Sequence, residues 1–252
     1  MKHRTHSAIG KPSRYVHAVA VCVALCTAWP LPKSMAADSV NLEGTWRIAV
    51  ARSSFSADGE AIPFTAMGRK RYEENKLNLG KSNYDAYDMA NARCASPGLA
   101  RLMLTPARFR IWQRPGVIEF QFEWNRLTRE IILSDLIPQT RIGGIGPKDE
   151  ELVGRAVPLA KGYWQGDTLV VSAEGFDDTT LVDNLVPHGN QLKVAERIRL
   201  KDRNTLEDRI RIEDAEYFTR PWETVVTYRR QADEAFAEDV CLDRLAPGTP
   251  TL

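Results

Sequence analysis

Histidine and cysteine are scarce in this chain, four of each in 252 residues. Three of the histidines (His3, His6, His17) and two of the cysteines (Cys22, Cys26) crowd into the first 37 residues. The rest of the chain keeps only His188, Cys94 and Cys241. That is too few soft ligands for a zinc centre of the usual Cys/His type. Asp177, Asp178 and Asp183 do not follow the spacing of an EF-hand loop, so no metal is expected. No G-x-S-x-G motif occurs, and one histidine without a matched serine or cysteine argues against triad hydrolysis. The glycines of 143–146 lack the G-x-G-x-x-G spacing and a GK[ST] ending, so residues 136–154 read as a plain connection, and no cofactor is expected. Neither charge sign dominates: 34 basic residues face 33 acidic ones, a poor basis for nucleic-acid binding. No internal repeat is visible.

The N-terminus carries the longest apolar run. Lys2, Arg4, Lys11 and Arg14 precede an apolar core over 16–31, and Ser34-Met35-Ala36-Ala37 supplies small residues for cleavage. Pro30 and Pro32 close the core before it reaches the ~20 residues of a membrane span. Val21 and Leu25, which precede the two leader cysteines, give no lipobox. Residues 1–37 are therefore expected to be a removable signal peptide, with a periplasmic or secreted product and no transmembrane segment in it. The leader holds five basic residues and no acid, so its loss leaves 29 basic against 33 acidic residues. The 215 residues that remain suit one domain. In an oxidising compartment Cys94 and Cys241 are most simply a disulfide, with free thiols as the alternative. A loop that long would add roughly 4–5 kcal/mol by chain entropy.

Segments 42–50, 108–113, 117–124, 126–133, 157–165, 168–175, 191–201, 205–214 and 221–230 read as nine strands. Turn signals at Pro115-Gly116 and Gly166-Asp167 separate two of the pairs. Between the first two strands, 67–79 predicts a helix with Thr65 as N-cap and Gly80 as its stop, and 82–92 a second short one. Short links imply mostly antiparallel neighbours. Closure removes the exposed edges such a run would leave. The expectation is a mainly β, lipocalin-like antiparallel barrel over 38–252, with a helical insertion at about 63–104 and a frayed tail over 246–252. A two-sheet sandwich is the competing arrangement.

Two motifs point further. Gly162-Tyr163-Trp164-Gln165-Gly166-Asp167-Thr168-Leu169-Val170-Val171 resembles the G-x-W-x-G-D-T-L-V-V hairpin of a family of uncharacterised exported bacterial proteins. Tyr217-Phe218-Thr219-Arg220-Pro221-Trp222 is similar to that family's Y-T-x-P-W segment, and Pro187-His188 with Glu196-Arg197 to its P-H-S…E-R stretch. Gly189 stands where the family has serine, and Pro158-Leu159-Ala160-Lys161 where it has His-Ser. The family brings no assigned activity. Gly44-x-Trp46 resembles the opening strand of lipocalin-type barrels.

Strand parity singles out the charged candidates. Glu196 shares a face with Leu192, Val194, Ile198 and Leu200. Asp208 shares one with Leu206, Ile210 and Ile212, and Arg129 one with Leu127, Ile131 and Leu133. Charges on apolar faces are costly unless paired. They form either a buried network or, with His188, an acid/base group for proton transfer. His188, in the loop before the Glu196 strand, is either solvated or placed at the barrel rim with Asp183. Phe122, Trp124, Trp164, Trp222 and Tyr228, with Arg129, line a ligand pocket if the barrel is open and form its core if it is filled. Two functions follow: an exported barrel that binds a small apolar or aromatic molecule, or a cofactor-independent lyase, isomerase or hydratase using Glu196, Asp208 and His188.

Overall fold

The computed structural model describes residues 40–55, 62–133 and 160–236. The signal peptide, the 136–154 connection, Cys241 and the 246–252 tail lie outside the described residues. Nine strands form one closed barrel in sequence order. They are β1 (Gly44–Ile48), β2 (Phe109–Arg114), β3 (Val117–Phe122), β4 (Thr128–Leu133), β5 (Ala160–Gln165), β6 (Thr168–Ala173), β7 (Lys193–Asp202), β8 (Thr205–Glu213) and β9 (Trp222–Arg230). Closure is made by β1, which pairs with both β2 and β9. The mainly β barrel expected from the sequence is present, and it is mixed at one joint. β4 and β5 run parallel, Ile131 opposite Ala160 and Leu133 opposite Gly162, whereas the other joints are antiparallel. A parallel pair cannot be joined by a hairpin.

Gly162 belongs to that joint for a steric reason. A Cβ there would stand 2.7 Å from Ile131 Cγ2 and 3.2 Å from the Val170 carbonyl. Gly166 turns the β5–β6 hairpin with φ +62°, in the left-handed region that glycine tolerates.

Among the described residues, the link from β1 to β2 holds three α-helices: α1 (Ala66–Gly80), α2 (Met89–Arg93) and α3 (Leu99–Leu102). Thr65 caps α1, its Oγ1 accepting from Gly68 N at 3.0 Å. The helix runs through Gly80 rather than stopping before it, with Lys81 as the capping residue. The region expected as one helix over 82–92 is a 3-10 turn, Tyr84–Ala86, followed by α2, and α3 has no counterpart in the sequence reading. α1 is polar on nearly every side and buries only Gly68 and Asn75. Its ion pairs sit on the surface: Arg69–Glu73, Arg71–Glu74 and Lys76–Glu73. It is held at its start. Thr65 N donates to Tyr217 O, Thr65 Oγ1 to Glu216 O and Thr219 N to Pro63 O. Gly68 packs so tightly that a Cβ would approach Tyr217 O to 2.3 Å.

The barrel interior is filled. Trp46, Ile111, Phe120, Phe122, Ile131, Ile198 and Ile210 are fully buried in one continuous core. Phe109 stacks on Phe120 at 5.6 Å and meets Tyr228 edge-on at 5.0 Å. Met103, just beyond α3, reaches the same interior: its carbonyl accepts from the Tyr228 hydroxyl at 3.0 Å, and its sulfur lies 3.9 Å from Arg129 Nη1.

Candidate functional site

Two polar regions stand out, one inside the barrel and one outside it. Inside, β4, β7 and β8 bring Arg129, Glu196 and Asp208 together. β7 and β8 pair with Glu196 opposite Ile210 and Asp208 opposite Ile198. Same-face residues of the two strands therefore share the interior, as period two demands. Arg129 Nη1 donates to Glu196 Oε1 at 3.0 Å, and Nη2 donates to Oε2. The guanidinium also lies over the Phe120 ring at 5.2 Å. All three residues are buried, at 1%, 1% and 0% exposure for Arg129, Glu196 and Asp208.

Asp208 differs from the other two. Among the described residues no group donates to either of its oxygens. Burial is the main force that pushes its carboxyl well above the ordinary aspartate range. Repulsion from the Glu196 carboxylate adds to this, and Arg129 opposes it. Asp208 is accordingly a carboxyl that holds its proton more tightly than an ordinary aspartate. The Tyr228 phenol is also raised well above its usual value, first by burial and then by Asp208 and Glu196.

Outside the barrel, α1 and the loop between β6 and β7 enclose a cleft of about 450 Å³. Arg71 and Asn75 of α1, Tyr87, Thr180, His188 and Tyr217 are among the residues that line it. His188 is 2% exposed. Its Nδ1 lies 2.9 Å from the Gly189 carbonyl, so Nδ1 carries the proton and donates there. Its Nε2 lies 2.8 Å from Thr180 Oγ1, and Phe176 meets the ring edge-on at 6.1 Å. Burial pushes the imidazole below its ordinary value. The Gly189 hydrogen bond and the charges of Asp214, Asp178 and Asp177 oppose that shift. The loop that carries His188 is tied by carboxylates. Asp183 accepts from Ser54 Oγ, Phe55 N, Leu185 N and Val186 N. Asp214 accepts from Gly189 N at 2.7 Å. A Cβ at Gly189 would meet the tip of the exposed Glu216 side chain, Oε2 at 2.6 Å, and Tyr217 Cε2 at 3.2 Å.

The structure thus separates residues that the sequence reading grouped. Glu196, Asp208 and Arg129 share the core. His188 lies at the outer cleft, and that cleft includes neither carboxylate. His188 bonds Thr180 and Gly189, while the Asp183 carboxylate is occupied by four other donors. Phe122, Trp124, Trp222 and Tyr228 are core residues, and Trp164 is half-buried against them. Cys94 caps α2 in the left-handed conformation, and its expected partner Cys241 lies outside the described residues.

Sequence reading missed two features. Asp88 and Arg101 form a buried two-point ion pair at 2.7 and 2.9 Å. A charge amid Leu99-Ala100-Arg101-Leu102-Met103-Leu104 is the signal that could have found it. Asn75 is 1% exposed on a polar helix, and no local pattern marks it.

With this geometry in view, a comparison with protein-family models finds no match, and a comparison with curated proteins finds none either.

Proposed function

We propose that this is an exported β-barrel protein that binds a small molecule, and that the ligand occupies the cleft beside α1 rather than the barrel interior. The observation that carries this reading is the contrast in filling. The barrel is packed with buried side chains, whereas the outer cleft has a volume of about 450 Å³, within the range of small-molecule sites. Met67, Met89, Leu181 and Tyr87 give its wall apolar and aromatic surface, which suits the small apolar or aromatic body expected from the sequence. The resemblance to exported bacterial proteins supports the compartment.

Native mass spectrometry of the exported protein tests the reading. The expected species lacks residues 1–36 or 1–37 and carries a small-molecule mass that Ala86→Trp, which fills the cleft from an exposed position, removes. A mass that retains residues 1–29, a bare chain, or an adduct that survives Ala86→Trp counts against it.

A second reading, acid/base chemistry at Glu196 and Asp208, has one observation in its favour: a carboxyl raised by burial beside another carboxylate. The burial of the whole cluster favours a structural role. Glu196→Gln distinguishes them, by whether melting or turnover changes.

A further inference from the structure

The outward wall of β7 and β8 is basic and exposed. We propose that it docks a partner protein through an acidic peptide segment that carries an aromatic side chain. This surface is separate from the cleft beside α1, and the inference does not depend on that cleft.

The strand period that turns Glu196 and Asp208 inward turns their neighbours outward. Lys193, Arg197, Arg199 and Lys201 of β7, with Arg209 and Arg211 of β8, are exposed on that side. Arg197 stands directly opposite Arg209, and like charges so opposed repel. The acids nearby are divided among several cations. Glu207 is shared by Arg199 and Lys201 at 2.8 and 3.2 Å. Glu223 of β9 is shared by Arg209 and Arg211 at 3.7 and 3.6 Å, and Glu213 lies 3.8 Å from Arg211. Asp202 sits at the turn, where it acts with Arg229. Among the described residues no carboxylate pairs with Arg197, whose Nη2 donates to the neutral Gln165 Oε1 at 3.0 Å. The row through Arg197 continues onto apolar ground. Val170 of β6 is opposite it, and Tyr163 of β5 is opposite Val170. The Tyr163 ring is left 47% exposed.

Another wall of the barrel shows what such ground accepts. Residues 231–236 lie over β1 and β2, where Gln231 N donates to Thr45 O. Asp233 pairs with Arg110 at 2.7 Å and Glu234 with Arg108 at 3.8 Å. The Phe236 ring meets the guanidinium groups of Arg108 and Arg110 at 5.4 and 5.0 Å, and Arg110 also stands over Trp112 at 5.6 Å. With Glu123 completing the cover of Arg108, the two side chains are 17% and 18% exposed. Arg199, Arg209 and Arg211 are 48%, 50% and 47% exposed. An acidic segment with a ring therefore satisfies outward arginines beside an exposed aromatic in this very barrel. Arg197 and Arg209, in one row with Tyr163, offer the same set to a segment from elsewhere. An anionic lipid surface is the rival, and it supplies charge without a ring.

Fluorescence anisotropy of a labelled peptide, Asp-Glu-Ala-Phe-Asp-Glu, titrated with the full protein, tests the proposal. Its amide twin, Asn-Gln-Ala-Phe-Asn-Gln, and vesicles of phosphatidylglycerol are the comparison probes. The acidic peptide is expected to bind with a Kd below about 1 mM and to weaken as salt rises from about 50 to about 300 mM. Arg197→Glu should weaken it about tenfold, and Arg209→Gln less, whereas Lys81→Glu, the same charge change at an exposed site elsewhere, should alter it by less than about twofold. No binding of the acidic peptide overturns the proposal. So does equal binding of the amide twin, or binding that both arginine variants leave unchanged. Vesicles that bind through Arg197 when the peptide does not would give the wall to a membrane instead.

Discussion

Among the described residues Arg101 and Arg129 are the buried arginines, and each grips a carboxylate at two points. Outside the barrel, Arg101 spends both Nη atoms on Asp88 and its Nε on Asn184 at 2.9 Å. Asp88 also caps α2, accepting from Asn91 N and Asn91 Nδ2. That region is saturated, and it braces the helical insertion against the loop before β7. Inside the barrel, Arg129 holds Glu196, but its Nε has no partner and Asp208 lies beside the pair without a donor. One positive group there faces two acids. The core is electrically neutral only when Asp208 keeps its proton. The same ionic motif is thus a completed brace in one place and a proton-dependent cluster in the other.

Substitutions in the two regions test that difference. Glu196→Gln should have the largest effect. It strands the Arg129 charge in the core and should lower stability by about 3–5 kcal/mol in denaturant titration. Unchanged unfolding with loss of a chemical activity would instead mark Glu196 as an acid/base group. Arg101→Leu should cost less, about 2–3 kcal/mol, because Asp88 keeps its two cap bonds to Asn91. A loss larger than that of Glu196→Gln would reverse the ranking of the two regions.

Asp208→Asn should have the smallest effect at acid pH, within about 1 kcal/mol of wild type below pH ~3.9, where the acid is protonated both folded and unfolded. Its signature is a slope. The folded carboxyl titrates above the unfolded one, so the folded protein holds more protons across the window between them. The Asp208 contribution to stability should therefore be fullest below ~3.9 and decline as pH rises toward the folded value. Asp208→Asn should flatten that decline. Parallel stability curves for the two proteins would show that Asp208 carries no excess proton.

Strand parity made the inner region legible. The side-chain period of two is local, so an acid in an apolar row, such as Glu196 or Asp208, points inward wherever its strand goes. The outer region depends on docking, which no short window contains. Asn75 is buried because its amide meets Leu185, 110 residues away. His188 faces α1 only because the start of that helix is pinned to Glu216 and Tyr217. The parallel β4–β5 joint was hidden for a similar reason: the residues within a strand do not set its direction relative to its neighbour. Arg101 is legible in the sequence as a single charge in an apolar run that needs a partner.

The strand that completes the barrel is the last of the nine to be made. β1 pairs with β9, Trp46 opposite Arg230, and the Arg230 guanidinium covers the Trp46 ring at 4.2 Å. Without β9, β1 and β8 would each be bare along one side. Unpaired edges of this kind recruit other chains. Contacts between ends so far apart in sequence also form slowly. A premature stop just before Trp222 would therefore yield an adhesive open sheet rather than a smaller barrel. The stage just before β9 joins is the one at which this chain most needs shielding from its neighbours.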